Sequence, residues 1–394
     1  MKTRIAVLFG GNSVEHEVSV ISGIQAIMSM NKEKYDVTAV YITKDSVMYT
    51  GPDISEIDAY KDIPGLLSRS QRVIFVNEGG RVRLEPYPKK RFGGGSVEID
   101  LAFPVVHGKN VEDGTLAGYF RTLGLPFVGC DVGASALGMD KYASKVVLKE
   151  NGVPVLDGII YTTADYGDID GIIDGVEEKL GYPVIVKPVD LGSSVGISVA
   201  KNRMELVDSI DDAFTYAHRI IVEHAITQLR EINCSVLGDE NHAVASEIEE
   251  PLHTKDILSY EDKYLSGGNS KGGGSKGMAG VSRKIPAELA PERREEVRQL
   301  AVRSFQTLGC SGVARIDFMI DEADGKLYFN EINTIPGSLA FYLWEPLGIP
   351  YEELLDRLIR LALKRVREEE ALTFSFDTNL LDQTSLSGSK SKLG

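Results

Sequence analysis

The chain has 394 residues, of which 43% are hydrophobic and 26% are charged, and its formal net charge is −15. This length predicts two or three domains, and the composition is that of a soluble globular protein. No apolar run approaches the roughly 18 residues that a membrane span needs, and the acidic balance argues against a nucleic-acid-binding surface. We therefore expect neither a membrane nor a nucleic acid as a partner.

Alternating strand-like and helix-like segments at the amino-terminal end favour an α/β fold. Residues 4–9 predict a buried strand, and a helix follows in which Val20, Ile24, Ile27 and Met28 recur at helical spacing. The apolar part of the first strand is too short for the core of a secretory signal and ends in two glycines. This start predicts a cytoplasmic protein.

Further strands at 35–42 and 100–106, and a helix over 115–124, extend this region into a doubly wound parallel-sheet domain. The polar loops 12–17 and 107–113 each follow a strand. Because ligands of such sheets lie beyond the carboxyl ends of the strands, we expect the two loops to face one crevice.

The remaining chain predicts two more units and a tail. In the middle unit, a helix over 135–150 precedes strands at 153–161, 183–189, 197–200 and 219–223 and a helix near 203–217. The last unit has strands near 231–238 and 242–249, a helix over 291–308, a hairpin and a closing helix near 351–369. The predicted domains are 1–128, 129–222 and 223–370, the last with a loop at 255–284, and a flexible tail covers 371–394.

The hairpin carries the most informative side chains. Its two strands flank the polar turn 321–325, and residues two apart on a strand share a face. Arg315 therefore lies beside Asp317, and Glu331 lies beside Asn333. If the two faces coincide, two carboxylates and an amide oxygen converge, and such oxygen ligands suit Mg²⁺. The alternative is an ordinary solvated strand face.

Several other motifs have both a functional and a plain structural interpretation. Lys187 ends a strand before the small-residue loop 192–196, which is able either to cradle phosphate or to form a simple turn. Lys141 and Lys145 stand four apart on a helix, where a solvated face is the favoured interpretation when they are taken alone. The Gly-rich segment 266–280 fits a linker or an active-site lid.

The acidic and histidine residues near the amino-terminal end are equally open. Glu15, His16 and Glu17, together with His107, fit a metal or acid–base cluster, but a helix amino terminus also prefers acids. The sequence has no Walker loop, no Gly-x-Ser-x-Gly and no His-Glu-x-x-His. The three cysteines, Cys130, Cys234 and Cys310, are too far apart for a zinc pattern or a disulfide framework.

Taken in order, the motifs resemble the D-alanine–D-alanine ligases of the ATP-grasp superfamily over about residues 3–365. The motifs are Gly10-Gly11-Asn12-Ser13 with Glu15-His16-Glu17-Val18-Ser19, His107-Gly108 with Glu112-Asp113-Gly114, Met139-Asp140-Lys141, Val186-Lys187-Pro188 with Gly192-Ser193-Ser194-Val195-Gly196, Lys263-Tyr264, Arg315-Ile316-Asp317, and Asn330-Glu331-Ile332-Asn333-Thr334 with Pro336-Gly337.

The resemblance implies a three-domain ATP-grasp fold, α/β with an α+β carboxy-terminal part, that binds ATP between its second and third domains. It implies an enzyme that activates one D-alanine as an acyl phosphate and joins it to a second D-alanine for peptidoglycan synthesis, and it implies a homodimer. Two Mg²⁺ ions, with Mn²⁺ as an alternative, would be held by Asp317, Glu331 and Asn333.

The resemblance also implies roles for the other site residues. The nucleotide residues would be Lys141, Lys187, Ser193, Ser194, Glu223, Ala225, Ile226, Glu231 and Lys263. Glu15, supported by Ser19, would bind the ammonium of the first D-alanine, and His107 would lie near its carboxylate. Arg315 and the backbone at Gly337 would stabilise the tetrahedral intermediate, and Tyr264 would belong to the lid.

The sequence departs from the family at 338–344, where hydroxyl-bearing residues would hold the carboxylate of the second substrate. Here only Ser338 and Tyr342 carry hydroxyls. The alternative is therefore a ligase of the same mechanism with a different second substrate, such as D-serine, another amino acid or an amine.

Overall fold

The computed structural model describes residues 2–89, 95–252 and 283–373. Most of the predicted lid, including Lys263 and Tyr264, and most of the predicted tail lie outside the described residues. Three sheets of seven, four and five strands form the framework.

The amino-terminal sheet is mixed. Three parallel strands, β1 (Thr3–Gly10), β2 (Tyr35–Ile42) and β7 (Leu101–Pro104), are joined by four antiparallel ones. These are β3 (Met48–Thr50), β4 (Gln71–Glu78), β5 (Arg81–Pro86) and β6 (Val97–Ile99), in the order β6-β5-β4-β3-β2-β1-β7. The parallel part was predicted, and the antiparallel extension was not.

Both faces of β1 are buried, as its continuous apolar run predicts. Ile5, Val7 and Phe9 pack on the side of α1 (His16–Ser29), and Ala6 and Leu8 pack on the side of α3 (Thr115–Leu123). A short helix, α2 (Ile63–Arg69), follows β3 in the chain.

One predicted helix is two. Residues 135–150 form the end of α4 (Val132–Met139) and α5 (Lys141–Glu150), which are separated at Asp140. Asp140 has extended backbone angles, and its side chain accepts a hydrogen bond from the Ala143 N–H at 2.7 Å, so it caps α5. The prediction of one continuous helix is wrong because this cap interrupts it.

The four-stranded sheet has its own core. It contains β8 (Gly158–Thr162), β9 (Val184–Pro188), β10 (Ser198–Ala200) and β11 (Arg219–His224), and two helices cover it, α6 (Ile169–Lys179) and α7 (Arg203–Tyr216). Ile173, Val186 and Ile210 are among its fully buried side chains.

The five-stranded sheet carries the predicted hairpin. It contains β12 (Leu229–Gly238), β13 (Ala243–Pro251), β14 (Arg283–Lys284), β15 (Gly312–Asp321) and β16 (Lys326–Asn333), and α8 (Pro291–Thr307) packs on it. The last helix, α9 (Tyr351–Glu370), instead buries Leu354 and Leu358 in the same core as Ile5 and Trp344.

No helix among the described residues is long and apolar enough to cross a membrane.

Candidate active site

A cavity of ≈ 80 Å³ lies where the amino-terminal loops meet the five-stranded sheet. It is small beside the roughly 300–1,000 Å³ of pockets for drug-sized ligands, which favours a small substrate. The lining residues are Glu15, Val18, His107, Glu112, Ser193, Glu231, Asn233, Glu249, Pro251, Arg283, Arg315, Asp317, Glu331, Asn333, Ile335, Pro336 and Gly337. Most of them are polar or charged.

A row of polar residues crosses the five-stranded sheet at one level. Glu249 on β13 lies opposite Asn233 on β12, Asn233 lies opposite Asp317 on β15, and Asp317 lies opposite Glu331 on β16. Arg315 lies opposite Asn333, as the predicted pairing of the hairpin requires. The sheet register therefore aligns these side chains along one side of the cavity.

Asp317 lies at the centre of this cluster. Its carboxylate accepts two hydrogen bonds of 2.7 Å from the Arg315 guanidinium and one of 3.1 Å from the Asn333 amide. Burial raises the pKa of Asp317, against the pull of Arg315, and the nearby Glu331 raises it further. The carboxylates of Asp317 and Glu331 therefore lie close enough to repel each other.

A hydrated divalent cation fits these residues. Among the described ranges, no group of three or more His, Cys, Asp or Glu side chains is arranged to hold a metal. Two carboxylates and an amide instead match Mg²⁺, which keeps several waters and binds substrate phosphates alongside one or two carboxylates. Asp317, Glu331 and Asn333 are the residues that would hold such an ion if it were brought in with a phosphate group.

Three charged side chains form a buried cluster between α5 and the four-stranded sheet. Lys145 and Lys187 both donate to the Glu223 carboxylate, Lys187 at 2.9 Å, and Lys187 also reaches Asn330 at 3.1 Å. None of Lys145, Lys187 and Glu223 is more than 4% exposed. Burial alone raises the pKa of Glu223, but the two lysines outweigh it and hold the pKa at about 2.

Lys141 connects this cluster to the hairpin. Its Nζ lies 3.0 Å from Glu331 and donates to the Leu191 carbonyl at 2.7 Å. Lys141 and Lys145 are both buried, so the interpretation of a solvated helix face is wrong. The two predicted phosphate lysines, Lys141 and Lys187, lie on facing elements beside the proposed metal ligands.

The small-residue loop after β9 reaches the amino-terminal loop. Ser193 donates a hydrogen bond to Glu15, and a Cβ atom on Gly192 would lie 2.9 Å from the Glu15 carboxylate. Ser193 and Ser194 have backbone φ values of 56° and 59°, a conformation that costs a residue other than glycine about 1–3 kcal/mol. Such strain is typical of a loop that aims its backbone at a ligand.

His107 is held in one neutral tautomer. Its Nδ1–H donates to the Ile335 carbonyl at 2.7 Å, and its Nε2 lies 3.0 Å from the Ser22 hydroxyl. Ser22 Oγ also accepts from the Ser338 N–H at 2.9 Å, so its own hydrogen is directed to His107. Burial lowers the pKa of His107, with Glu15 acting in the opposite direction. Protonation at Nε2 would turn this hydrogen-bond acceptor into a second donor, which would then face the hydrogen of the Ser22 hydroxyl.

Stability should therefore fall in mild acid. Because the folded-state pKa of His107 lies below its ordinary value near 6.5, the unfolded chain binds more protons just below that pH, at up to about 1.4 kcal/mol of unfolding free energy per pH unit. His107→Gln should reduce the slope of the unfolding free energy between pH 7 and pH 5 in urea titrations. His242→Gln, at an exposed position, is the control and should keep the wild-type slope. Equal slopes in both variants would contradict this assignment.

The other predicted residues differ in placement. Glu231 and Gly337 line the cavity, whereas the Ala225 N–H donates to Pro183 and the Ser19 hydroxyl joins Gly10 to Val105. Ile226 directly follows Ala225 and is partly buried. Ser338 and Tyr342 are absent from the cavity lining, because Ser338 donates to Gln25 and Tyr342 donates to Glu249. Both hydroxyls are thus engaged within the protein, and their predicted contact with the substrate stays a prediction.

Sequence reasoning missed several residues of the site. Lys145 joins the buried lysine cluster, while Glu112, Asn233, Glu249 and Arg283 line the cavity. The alternation Glu231-Ile232-Asn233 was a usable signal, since it places two polar side chains on one face of a strand whose other face is apolar. Glu112 accepts hydrogen bonds from the N–H groups of Gly108 and Ile335, and burial raises its pKa to about 7.

Comparisons with known proteins identify the family of the chain. A family model described as the D-ala D-ala ligase N-terminus matches residues 4–130, and one described as the D-ala D-ala ligase C-terminus matches residues 147–360. A D-alanine–D-alanine ligase of Acetivibrio thermocellus is 39% identical over 93% of this chain and 97% of its own length.

Two solved structures are similar throughout. The VanG D-Ala:D-Ser ligase of Enterococcus faecalis has a TM-score of 0.76 at 30% identity, covering 92% of this chain and 100% of that one. The D-alanine–D-alanine ligase of Bacillus anthracis, solved in complex with ATP, has a TM-score of 0.64 at 26% identity, covering 94% and 100%.

The three sheets, the buried lysines and the acidic hairpin define an ATP-dependent ligase with the ATP-grasp architecture. The family models for the N-terminus and the C-terminus of these ligases match in that order along the chain. The chain belongs to the D-alanine–D-alanine ligase family.

Proposed function

We propose that this enzyme joins two D-alanine molecules at the expense of ATP, through an acyl phosphate, to give D-alanyl-D-alanine, ADP and phosphate for peptidoglycan synthesis. The observation that carries the proposal is that one cavity is lined both by Glu15, the candidate ammonium ligand, and by the Arg315–Asp317 hairpin. An amino acid held at Glu15 would present its carboxylate to a phosphate group held at the hairpin.

The nucleotide would occupy the space between the four-stranded and five-stranded sheets. The ammonium groups of Lys141 and Lys187 would pair with its phosphates, and the Ser193–Ser194 loop would close over them. Glu223, Ala225, Ile226 and Glu231 would contact the base and ribose. The buried pair of Glu223 and Lys187 supports this assignment, since it fixes the lysine before ATP arrives.

Asp317, Glu331 and Asn333 would hold two Mg²⁺ ions, or Mn²⁺ ions. Bound there, such ions neutralise phosphate charge and polarise the transferring group. Arg315 is aligned by its two hydrogen bonds to Asp317, so its guanidinium would meet the oxyanion of the tetrahedral intermediate without reorganising. The backbone N–H at Gly337 would be a second donor to that oxyanion.

His107 would lie near the carboxylate of the first substrate as a neutral group. Its Nδ1–H is engaged by Ile335 and its Nε2 by Ser22, so it cannot act as a proton donor in this arrangement. Its buried ring instead positions the 335–338 segment, which carries Gly337. Glu15 is held by Ser193 and would receive the substrate ammonium.

The direct test is incubation with ATP, Mg²⁺ and D-alanine at neutral pH, with ADP and dipeptide measured together. We expect both products in equal amounts. ATP hydrolysis without dipeptide, or no ADP at all, would refute the proposal. Glu15→Gln should raise the KM for D-alanine about tenfold or more, because a charge-assisted hydrogen bond is lost.

A ligase that takes D-serine as the second substrate is the other candidate. The altered segment 338–344 and the similarity to the VanG D-Ala:D-Ser ligase favour it. Mixtures of D-alanine with D-serine, other D-amino acids and simple amines would separate the two candidates by the mass of the product. Preference for D-serine over D-alanine as acceptor would select the second.

A homodimer is also part of this proposal, because the family resemblance implies it, and so is the cytoplasmic location that the sequence predicts. Light scattering coupled to gel filtration would give twice the chain mass of 43.0 kDa if the dimer forms.

A further inference from the structure

Arg283 is a cation of the cavity to which no role has been given. Among the described residues, the arginines that line the cavity are Arg283 and Arg315, and Arg315 is aligned by Asp317. Arg283 begins β14 at the edge of the five-stranded sheet, at the far end of the polar row from Glu331. The two guanidinium groups are thus at different places along one cavity.

Arg283 is held by a built frame. Its Nη1 donates to Glu249 Oε2 at 3.0 Å, and its guanidinium carbon lies 4.1 Å from the centre of the Tyr342 ring. The second oxygen of Glu249 accepts from Asn233 at 3.1 Å and from Tyr342 at 3.2 Å. Glu249 is 3% exposed, and the side chain of Arg283 is 11% exposed. A guanidinium fixed in this way loses little entropy when it binds an anion.

The segment that departs from the family forms part of that frame. Ser338, Leu339 and Ala340 have φ values of 51–53°, so the chain makes a left-handed turn there. The turn directs the Ser338 hydroxyl to Gln25 on α1 and brings Tyr342 under Arg283. The hydroxyl groups of 338–344 are therefore directed to Gln25 and Glu249, and Tyr342 supports a cation instead.

We propose that Arg283 binds the carboxylate of the second amino acid, the one whose amine attacks the acyl phosphate. This inference rests on the function proposed above and names the residue that selects its acceptor. Arginine presents paired N–H donors that match a carboxylate and remains charged at every working pH. Neighbouring strands lie about 4.8 Å apart, so two strand spacings, about 10 Å, separate Glu249 from Asp317. That distance is about the length of one small amino acid, measured between Glu249, which holds Arg283, and Asp317.

The consequence is that the enzyme distinguishes acceptors by their negative charge. D-alanine should be accepted, whereas D-alaninamide, which has the same amine and methyl group but no carboxylate, should be a poor acceptor. D-serine keeps the carboxylate, so Arg283 by itself would admit both candidates for the second substrate. Discrimination between those two lies elsewhere in the site.

The test separates the two halves of the reaction. Hydroxylamine traps an acyl phosphate without needing a carboxylate site, so D-alanine hydroxamate reports activation of the first substrate, and dipeptide reports use of the second. In Arg283→Gln we expect the KM for the acceptor D-alanine to rise about 10- to 100-fold, because hydrogen bonds to a charged group are worth about 1.5–3 kcal/mol. Hydroxamate formation and the KM for ATP should stay within about twofold, and Arg283→Lys should restore part of the loss.

Two further variants keep the result interpretable. Arg283→Gln combined with Glu249→Gln removes both charges of the pair, so an effect that persists there is not due to an unpaired buried carboxylate. Arg230→Gln is the matched control, since Arg230 makes a bidentate pair with Glu250 on the same sheet but does not line the cavity. It should leave the acceptor KM unchanged.

The inference is overturned if Arg283→Gln makes dipeptide with the wild-type acceptor KM, or if wild-type enzyme uses D-alaninamide as well as D-alanine. It is also overturned if hydroxamate and dipeptide formation fall in parallel in both Arg283 variants, since that pattern indicates general damage to the site. Wild-type enzyme that yields neither hydroxamate nor dipeptide would instead refute the proposed function itself.

Discussion

Replacing Lys187 by methionine should lower kcat/KM for ATP by about a thousandfold while leaving the protein folded. Lys187 is 4% exposed, and its ammonium group donates to Glu223 at 2.9 Å and to Asn330 at 3.1 Å. In phosphoryl transfer the protein acts mainly by positioning and by neutralising charge, and removal of one such cation typically costs about 10²–10⁵ in rate. Glu223 would keep Lys145 as a counter-ion, so the loss of stability should be modest.

The measurement is ADP release at saturating D-alanine over a range of ATP concentrations, together with the melting temperature. Lys149→Met is the control, because Lys149 lies on α5 but is exposed and pairs with Asp157 at the surface. It should behave as wild type. A Lys187→Met enzyme with a kcat/KM within tenfold of wild type would remove this lysine from the nucleotide site.

Neutralising either carboxylate of the hairpin should have an effect of similar size. Asp317→Asn and Glu331→Gln keep the shapes of the side chains but remove the charges that would hold a divalent ion, so turnover should fall about a thousandfold or more. Asp317 also aligns Arg315, and its replacement therefore affects two proposed functions of the site.

Turnover as a function of Mg²⁺ and Mn²⁺ concentration checks this prediction, and Mn²⁺ binding by electron paramagnetic resonance in the presence of ADP gives a readout independent of activity. Asp324→Asn, in the turn of the same hairpin and paired with Lys326, is the control. Variants that bind Mn²⁺ and turn over normally would show that the metal assignment is wrong.

The sequence was most informative where periodicity and turn chemistry agree. Strand β2 and helix α7 begin where their patterns predict, and the hairpin pairs Asp317 with Glu331 because strand alternation leaves few registers that bury the apolar face. The signal was weaker for β3 to β6. Strands β3 and β6 have only three residues each, which is too few for a clear period. Strands β4 and β5 do alternate, since Val73 and Phe75 are buried on either side of exposed Ile74 and Val82 and Leu84 are buried in β5.

The site shows the same limit. Residues within one element, such as Arg315 and Asp317, follow from local spacing. The partners of Glu249 come from two other strands, β12 and β14, and from Tyr342, which follows the left-handed turn at 338–340, and no short-range pattern predicts such a contact. The break between α4 and α5 at Asp140 was partly predictable. Aspartate is a favoured residue at the start of a helix, but the helical pattern on both sides of Asp140 makes the two helices look continuous in the sequence.

The way in which the hydrophobic cores are shared has a mechanical consequence. Helix α9 and β1 belong to one core, which also contains Val313 of β15, so the first and last sheets are joined as a single body. The four-stranded sheet keeps a separate core of its own. If the enzyme opens to admit a nucleotide, we therefore expect residues 158–224 to rotate as a rigid body. A rigid-body motion between the two larger sheets would instead break the apolar contacts of the core that they share.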